Sequence, residues 1–113
     1  MRILEDYVSF EVAKLMKNKG FNSDWVIGQK CTHQMALKWL REVYKIVLDI
    51  AFETNKGWTF YVCHLITETL SDGSTYIVNI QHSVWSDDVQ QPYYSEYEQA
   101  VEAALKYTLK NLI

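Results

Sequence analysis

The spacing of apolar side chains along the chain changes once from a helical period to a two-residue period and then changes back. Val12, Leu15 and Met16, with Phe10 and Ala13 beside them, recur at the three- and four-residue steps of one helical face. Ser9 stands at an N-cap position and Gly20 at a left-handed stop, so the spacing predicts a helix from Ser9 to Lys19. Phe21, just past the glycine, is placed to fold back on the last turn. A second helix is predicted after Thr32. It carries Ala36, Leu37, Trp39, Leu40, Val43 and Tyr44 against Gln34, Lys38, Arg41 and Lys45. The connector between them, 21–31, is far longer than the turn of a DNA-binding helix-turn-helix.

From Ile46 the period becomes two. Ile46–Glu53, Trp58–Thr67 and Thr75–Trp85 read as strands rich in β-branched and aromatic residues. Taking Thr54–Gly57 as a four-residue loop pairs Glu53 with Trp58, Leu48 with Cys63 and Ile46 with Leu65. Taking Asp72-Gly73 as a two-residue type I′ turn pairs Leu65 with Ile80 and Cys63 with His82. A bulge is expected in 68–71, where one extra residue would flip everything beyond it.

Cross-strand partners share a face. In this register one face collects Ile46, Leu48, Ile50, Phe52, Tyr61, Leu65, Tyr76, Val78, Ile80 and Val84, and it is expected to form the core beneath the helices. The other holds Val47, Ala51, Trp58, Phe60, Val62, Ile66, Ile77 and Trp85, with Asp49, His64, Asn79, Gln81 and Ser83 among them. That is too apolar for the solvated back of an antiparallel sheet, and such a patch marks an interface. A homodimer through this outer face is therefore expected, or docking of another protein, with Trp58, Phe60, Val62, His64, Ile66 and Trp85 in contact. The competing expectation is that the connector and the loop 86–91 fold over it.

A third helix closes the chain. Ser95 and Glu98 match the S-x-x-E capping box, and Tyr97, Val101, Ala104, Leu105, Thr108 and Leu112 form its apolar stripe. Glu98, Glu102, Lys106 and Lys110 line another side, with Glu102 and Lys106 as a solvated pair four apart. The elements predict a single α+β domain over 1–113, ordered α-α-β-β-β-α, a three-stranded antiparallel meander with helices packed on one face.

Composition narrows the class without naming a chemistry. With 49% hydrophobic and 22% charged residues, the 113-residue chain is no disordered tail. Eight Tyr and four Trp suit interfaces as well as cores. Residues 1–10 carry Arg2, Glu5 and Asp6 rather than an apolar signal region, and no run approaches the roughly 18 apolar residues of a spanning helix. A cytoplasmic protein without membrane contact is expected, with Cys31 and Cys63 as free thiols. The net charge of −3 hides an asymmetry: 1–45 holds eight Lys/Arg against five Asp/Glu, and 46–113 three against nine. The basic half supports an alternative reading as a nucleic-acid-associated accessory protein, with Lys38, Arg41 and Lys45 as phosphate contacts. Solvated helix faces explain the same lysines more simply, so nucleic acid is not the favoured partner.

Phosphate-cradling Gly-rich loops, H-E-x-x-H, G-x-S-x-G and C-x-x-C are all absent from the sequence. Cys31 and His33 flank the start of the second helix, and the expected register sets Cys63 beside His82. Zinc accepts these ligand types, but the Cys-x-His spacing is short and nothing brings the helix start to the middle of the sheet. Buried cysteine is commonly a small hydrophobe, and a core-facing Cys63 lacks the access a nucleophile needs. Asp87-Asp88 reads as a solvated turn rather than an acid–base pair. No enzyme activity, cofactor or metal is expected.

Three segments carry a resemblance: 7–21 (YVSFEVAKLMKNKGF), 34–42 (QMALKWLRE) and 97–107 (YEQAVEAALKY). They are similar to a family of short proteins from prophages and mobile elements of gut Bacteroidetes. The likeness covers the helices, roughly half the chain. Family members often have a longer Tyr-rich insertion between the first two helices and a proline before the threonine that opens the second. Here the connector is short and Cys31 precedes Thr32. The resemblance implies a phage-related accessory protein with no assigned activity and transfers no functional residue. The expected role is a non-enzymatic, self-associating interaction module.

Overall fold

In the computed structural model, the described residues, 7–21, 31–82 and 91–113, fold into three helices and one three-stranded antiparallel sheet. The order is α1 (Phe10–Asn18), α2 (His33–Val43), β1 (Ile46–Glu53), β2 (Gly57–Thr69), β3 (Thr75–His82) and α3 (Tyr97–Asn111). This is the α+β arrangement that the periods predict. Residues 1–6, 22–30 and 83–90, with Val84, Trp85 and the Asp87-Asp88 pair among them, lie outside the described residues, as does the side chain of His82.

Local chemistry sets the helix ends. The Ser9 hydroxyl accepts from Val12 N–H at 3.2 Å, capping α1. At its other end Gly20 takes φ 91°, Gly20 N–H donates to the Lys17 carbonyl and Phe21 N–H to the Met16 carbonyl, which is a Schellman ending. Thr32 caps α2 through Met35 N–H at 3.2 Å. At α3 the cap lies one residue later than the sequence suggests. Glu96 is the N-cap, and the Gln99 side chain accepts from both Glu96 N–H and the Ser95 hydroxyl.

The sheet is β1-β2-β3, and both hairpins differ by one residue from the expected register. The first loop is Thr54–Lys56: Asn55 takes the left-handed position at φ 67°, Lys56 N–H donates to the Glu53 carbonyl, and Gly57 opens β2 opposite Glu53. Gly57 has φ 115°, and a β-carbon there would lie 2.6 Å from the Tyr94 carbonyl oxygen, so only glycine fits. In the second loop Gly73 N–H donates to the Leu70 carbonyl and Leu70 N–H to the Ser74 carbonyl. Ser71–Gly73 is thus a three-residue turn with a left-handed glycine, not a two-residue Asp-Gly turn.

One residue per hairpin turns β2 over while leaving β1 and β3 as expected. Ile50 faces Phe60, Leu48 faces Val62 and Ile46 faces His64, and His64 in turn faces Ile80. Trp58, Phe60, Val62, His64 and Ile66 therefore point to the helix side, and Tyr61, Cys63 and Leu65 to the other. No bulge interrupts the pairing of β2 and β3 over 62–69.

The core is built where helices cover this side. Val12 and Met16 of α1, Ala36 and Leu40 of α2, and Val101, Ala104, Leu105 and Leu109 of α3 meet Ile46, Phe60 and Val62. Trp58 packs edge-on against Tyr97 at 5.3 Å, and Phe60 lies 6.4 Å from Tyr107. Burying each such side chain contributes about 1.5–3 kcal/mol.

Candidate functional site

The expected interface is overturned by the register. Phe60 is 3% exposed and Val62 is fully buried, both against α3, so neither forms an outer surface. Trp58 is half-buried beneath Tyr97, and His64 is half-buried on the same side. The outer face keeps Val47, Ala51 and Ile77 and takes Thr59, Tyr61, Cys63 and Leu65 in place of Trp58, Phe60, Val62 and Ile66, and part of it is covered. The Thr59 hydroxyl donates to the Pro92 carbonyl at 2.8 Å, while the Gln91 amide donates to Thr59 Oγ1 and the Tyr61 hydroxyl. Tyr93 sits beside Glu53, whose carboxylate pushes the phenol up to about 12. Tyr94 exchanges both backbone hydrogen bonds with Trp58, flanking β2 on the side away from β1.

A group of exposed apolar side chains lies on the two faces of the far arm of β2 and β3. α3 packs on β2 and β1 and α2 packs on β1, but among the described residues no helix reaches β3. Ile66, Leu70, Tyr76, Ile77 and Ile80 are all exposed, Ile77 at 69%. Of the expected interface residues that are described, only Ile66 belongs to this surface, and Tyr76 and Ile80, expected in the core, belong to it as well. β3 is an edge strand.

The chosen cations lie on exposed positions of α2 and its end. Lys38 Nζ is 4.0 Å from Glu42 Oε1, and Lys45 Nζ donates to the Glu42 carbonyl at 3.1 Å, so an acid sits among them. Among the described side chains the thiols and imidazoles do not converge. Cys63 faces Gln81, and His82 faces Val62. Cys31 is buried, which pushes its thiol up to about 11, away from the lowered values of reactive cysteines. Among the described residues no group of three or more metal-ligand side chains comes together, and no helix is long and apolar enough to cross a membrane.

One polar constellation was missed by the periodicity. His33, the first residue of α2, is 5% exposed, and its Nε2 lies 2.9 Å from Glu102 Oε1 of α3. The same oxygen accepts from Ser9 N–H at 2.8 Å, so one carboxylate joins the starts of α1 and α2 to α3. Burial works to raise the Glu102 carboxyl, and the hydrogen bonds from His33 and Ser9 outweigh it and hold the group below its ordinary range. An ionised carboxylate only accepts, so the hydrogen is assigned to Nε2. That leaves His33 Nδ1 and Glu102 Oε2 buried without partners among the described residues. His33 and Glu102 also line an open cleft of about 630 Å³, together with Tyr7, Ser9, Tyr94, Glu98, Gln99 and Lys106. Lys106 bridges to Glu11 at 3.1 Å, and Lys110 does so at 3.2 Å, rather than Lys106 pairing with Glu102 along the helix. Nothing matches. Comparison with family models, with curated proteins and with solved structures finds no relative for this chain.

The sequence held one faint signal of this site. Thr32 as a cap puts His33 in the first turn of α2, where a polar ring must find a partner once the cap is buried. The four-residue spacing of Glu98, Glu102 and Lys106 looks the same whether the stripe meets water or a neighbouring helix start.

Proposed function

We propose that the chain is a non-enzymatic assembly module that self-associates through the open edge of β3, as a phage-related accessory protein. The phage-related setting comes from the resemblance of the helical segments alone. The observation that carries the self-association is the character of that edge. Thr75–His82 contains no Lys, Arg, Asp, Glu or Pro, the residues that keep sheet edges from pairing, and it is flanked by exposed Tyr76, Ile77 and Ile80. The opposite edge, β1, carries an exposed Asp49 and is packed by α2.

A second copy of the strand is a natural complement. Antiparallel pairing about Val78 sets Ile77 opposite Asn79 of the second copy and Tyr76 opposite its Ile80. Side chains then stay on matching sides, and both helical layers lie on one face of a six-stranded sheet. An uncharged strand meets its copy without like-charge repulsion.

Native mass spectrometry over a concentration series tests this reading. The expected result is a dimer in the parent protein and monomers for Ile77→Lys and for Asn79→Glu, both at exposed positions. A mixture of the two variants should restore a heterodimer, because the lysine of one chain then faces the glutamate of the other. A monomeric parent at high micromolar concentration, or variants that remain dimeric, overturns it.

A further inference from the structure

The three helices are not held alike. α3 packs on β1 and β2, and α2 packs on β1 and α3, whereas α1, among the described elements, comes close to α3 alone. It is nine residues long, too short to be a stable helix by itself. Its apolar hold on the domain is Val12 and Met16, both buried in the core, with Leu15 half-buried beside them. That burial offsets only part of the conformational entropy lost on ordering the helix, so the polar attachments decide whether it stays docked.

Those attachments meet at the first turn and run through two carboxylates. Glu102 Oε1 accepts from Ser9 N–H at 2.8 Å, and Glu11 of α1 reaches Lys106 at 3.1 Å and Lys110 at 3.2 Å. Both charges lie at the N-terminal end of α1, where the helix dipole favours an anion. At the other end Lys19 Nζ donates to the Ile113 carbonyl at 2.7 Å, and the Lys19 carbonyl accepts from the Tyr44 hydroxyl at 2.8 Å. Ahead of the helix Val8 N–H donates to the Cys31 carbonyl at 2.9 Å. None of these last three contacts titrates in acid.

We infer that α1 is a detachable element: protonation of Glu11 and Glu102 releases it from α3 while α2, α3 and the sheet stay folded, which bares the side of α3 that α1 covers. The groups around the two carboxylates set the direction. Hydrogen bonds from Lys106 and Lys110 hold Glu11 below its ordinary value of 4.5. Burial works to raise Glu102, and the hydrogen bonds from His33 of α2 and from Ser9 outweigh it. Glu98 and Lys106 stand one turn to either side of Glu102 on α3, and Tyr7 and Tyr94 line the same cleft. A carboxyl lowered in the folded chain stabilises it above 4.5 and ceases to do so as pH falls through the folded value. A protonated His33 attracts an ionised Glu102 more strongly, so the release follows the carboxylates and not the imidazole. α1 does not approach β3, and the inference is independent of the proposed dimer.

Amide hydrogen exchange of the full chain tests it, read by NMR at pH 7, 5, 4 and 3 and corrected for the intrinsic pH dependence of exchange. Amides 13–18 of α1 should lose protection by about tenfold or more between pH 5 and pH 3, while those of β1 and β2 keep theirs. Glu11→Gln, at an exposed position, should weaken α1 protection by about threefold at pH 7 and leave the sheet unchanged. The double variant Glu11→Gln with Glu102→Gln should lose the acid step. Concerted loss of protection in α1 and β2, full protection of α1 at pH 3, or α1 protection in Glu11→Gln equal to the parent's at every pH overturns the inference. A parent-like acid step in the double variant overturns it as well.

Discussion

The two halves of β2 carry the same kind of sequence and have different fates. Between Trp58 and Val62 its helix-side residues lie under α3, and Val62 is fully buried. Beyond His64 the strand continues with β3 past the end of the helical layer, and Ile66, Tyr76 and Ile80 on that same side stay exposed. Alternating apolar residues thus mean a core only where another element covers them. The covered half is built into the core, and the bare half leaves its apolar side chains exposed.

The sharpest way to break the comparison is to empty the covered half. Phe60→Ala removes a ring that is 3% exposed and packs beneath Tyr107, and deletions of this kind cost about 3–5 kcal/mol. Because a domain of this size is stable by only about 5–15 kcal/mol, the variant should unfold at much lower denaturant. Ile80→Ala, at an equivalent alternation on the bare arm, should shift the urea midpoint little in the dilute monomer. Equal losses at the two sites would mean that the arm is covered in solution.

A second break uses the backbone at the boundary. Gly57→Ala places a methyl group 2.6 Å from the Tyr94 oxygen at φ 115°, and the strained conformation alone costs about 1–3 kcal/mol. Thermal melting should fall accordingly. Gly73→Ala, at φ 90° with open space around the position, should lose less, since it meets backbone strain without a clash. The order of the two melting points is the readout.

These same turns explain how much of the fold was legible beforehand. Helices announce their ends through caps such as Ser9, Thr32 and Gly20, and the switch of period at Ile46 announces the sheet. Register is set by loop geometry, and a three-residue turn differs from its neighbours by one left-handed residue. Asn55 and Gly73 satisfy either count, so the slip that turns β2 over leaves no mark in the alternation, because β2 is apolar on both faces. The outer-face interface followed from that slip. The cleft was hidden for another reason: Glu102 looks like a solvated residue until His33 and Ser9, distant in sequence, are placed against it.

Acid should separate the His33–Glu102 pair from the packing of the covered half. The Glu102 carboxyl is held below its ordinary value of 4.5 in the folded chain, so its contribution is fully present above that value. The contribution is lost as pH falls through the folded value. Glu102→Gln should therefore lower stability at neutral pH and flatten the acid limb of the stability curve measured by urea unfolding below pH 5. A parent-like acid limb in Glu102→Gln would assign the pH dependence to other carboxylates.

The smallest effect is expected on the bare arm, and it distinguishes folding from assembly. Ile77 is 69% exposed on the face away from the helices, and substitutions at such positions usually change stability by no more than about 0.5 kcal/mol. Ile77→Lys should therefore melt with the dilute parent. The two should part as concentration rises. Association through β3, as proposed, would stabilise the folded parent by mass action, so its melting temperature should climb with protein concentration while that of Ile77→Lys stays level. Superimposable melting curves across the whole series would leave the arm without a role in assembly, because the edge would then contribute nothing that a single charge can remove.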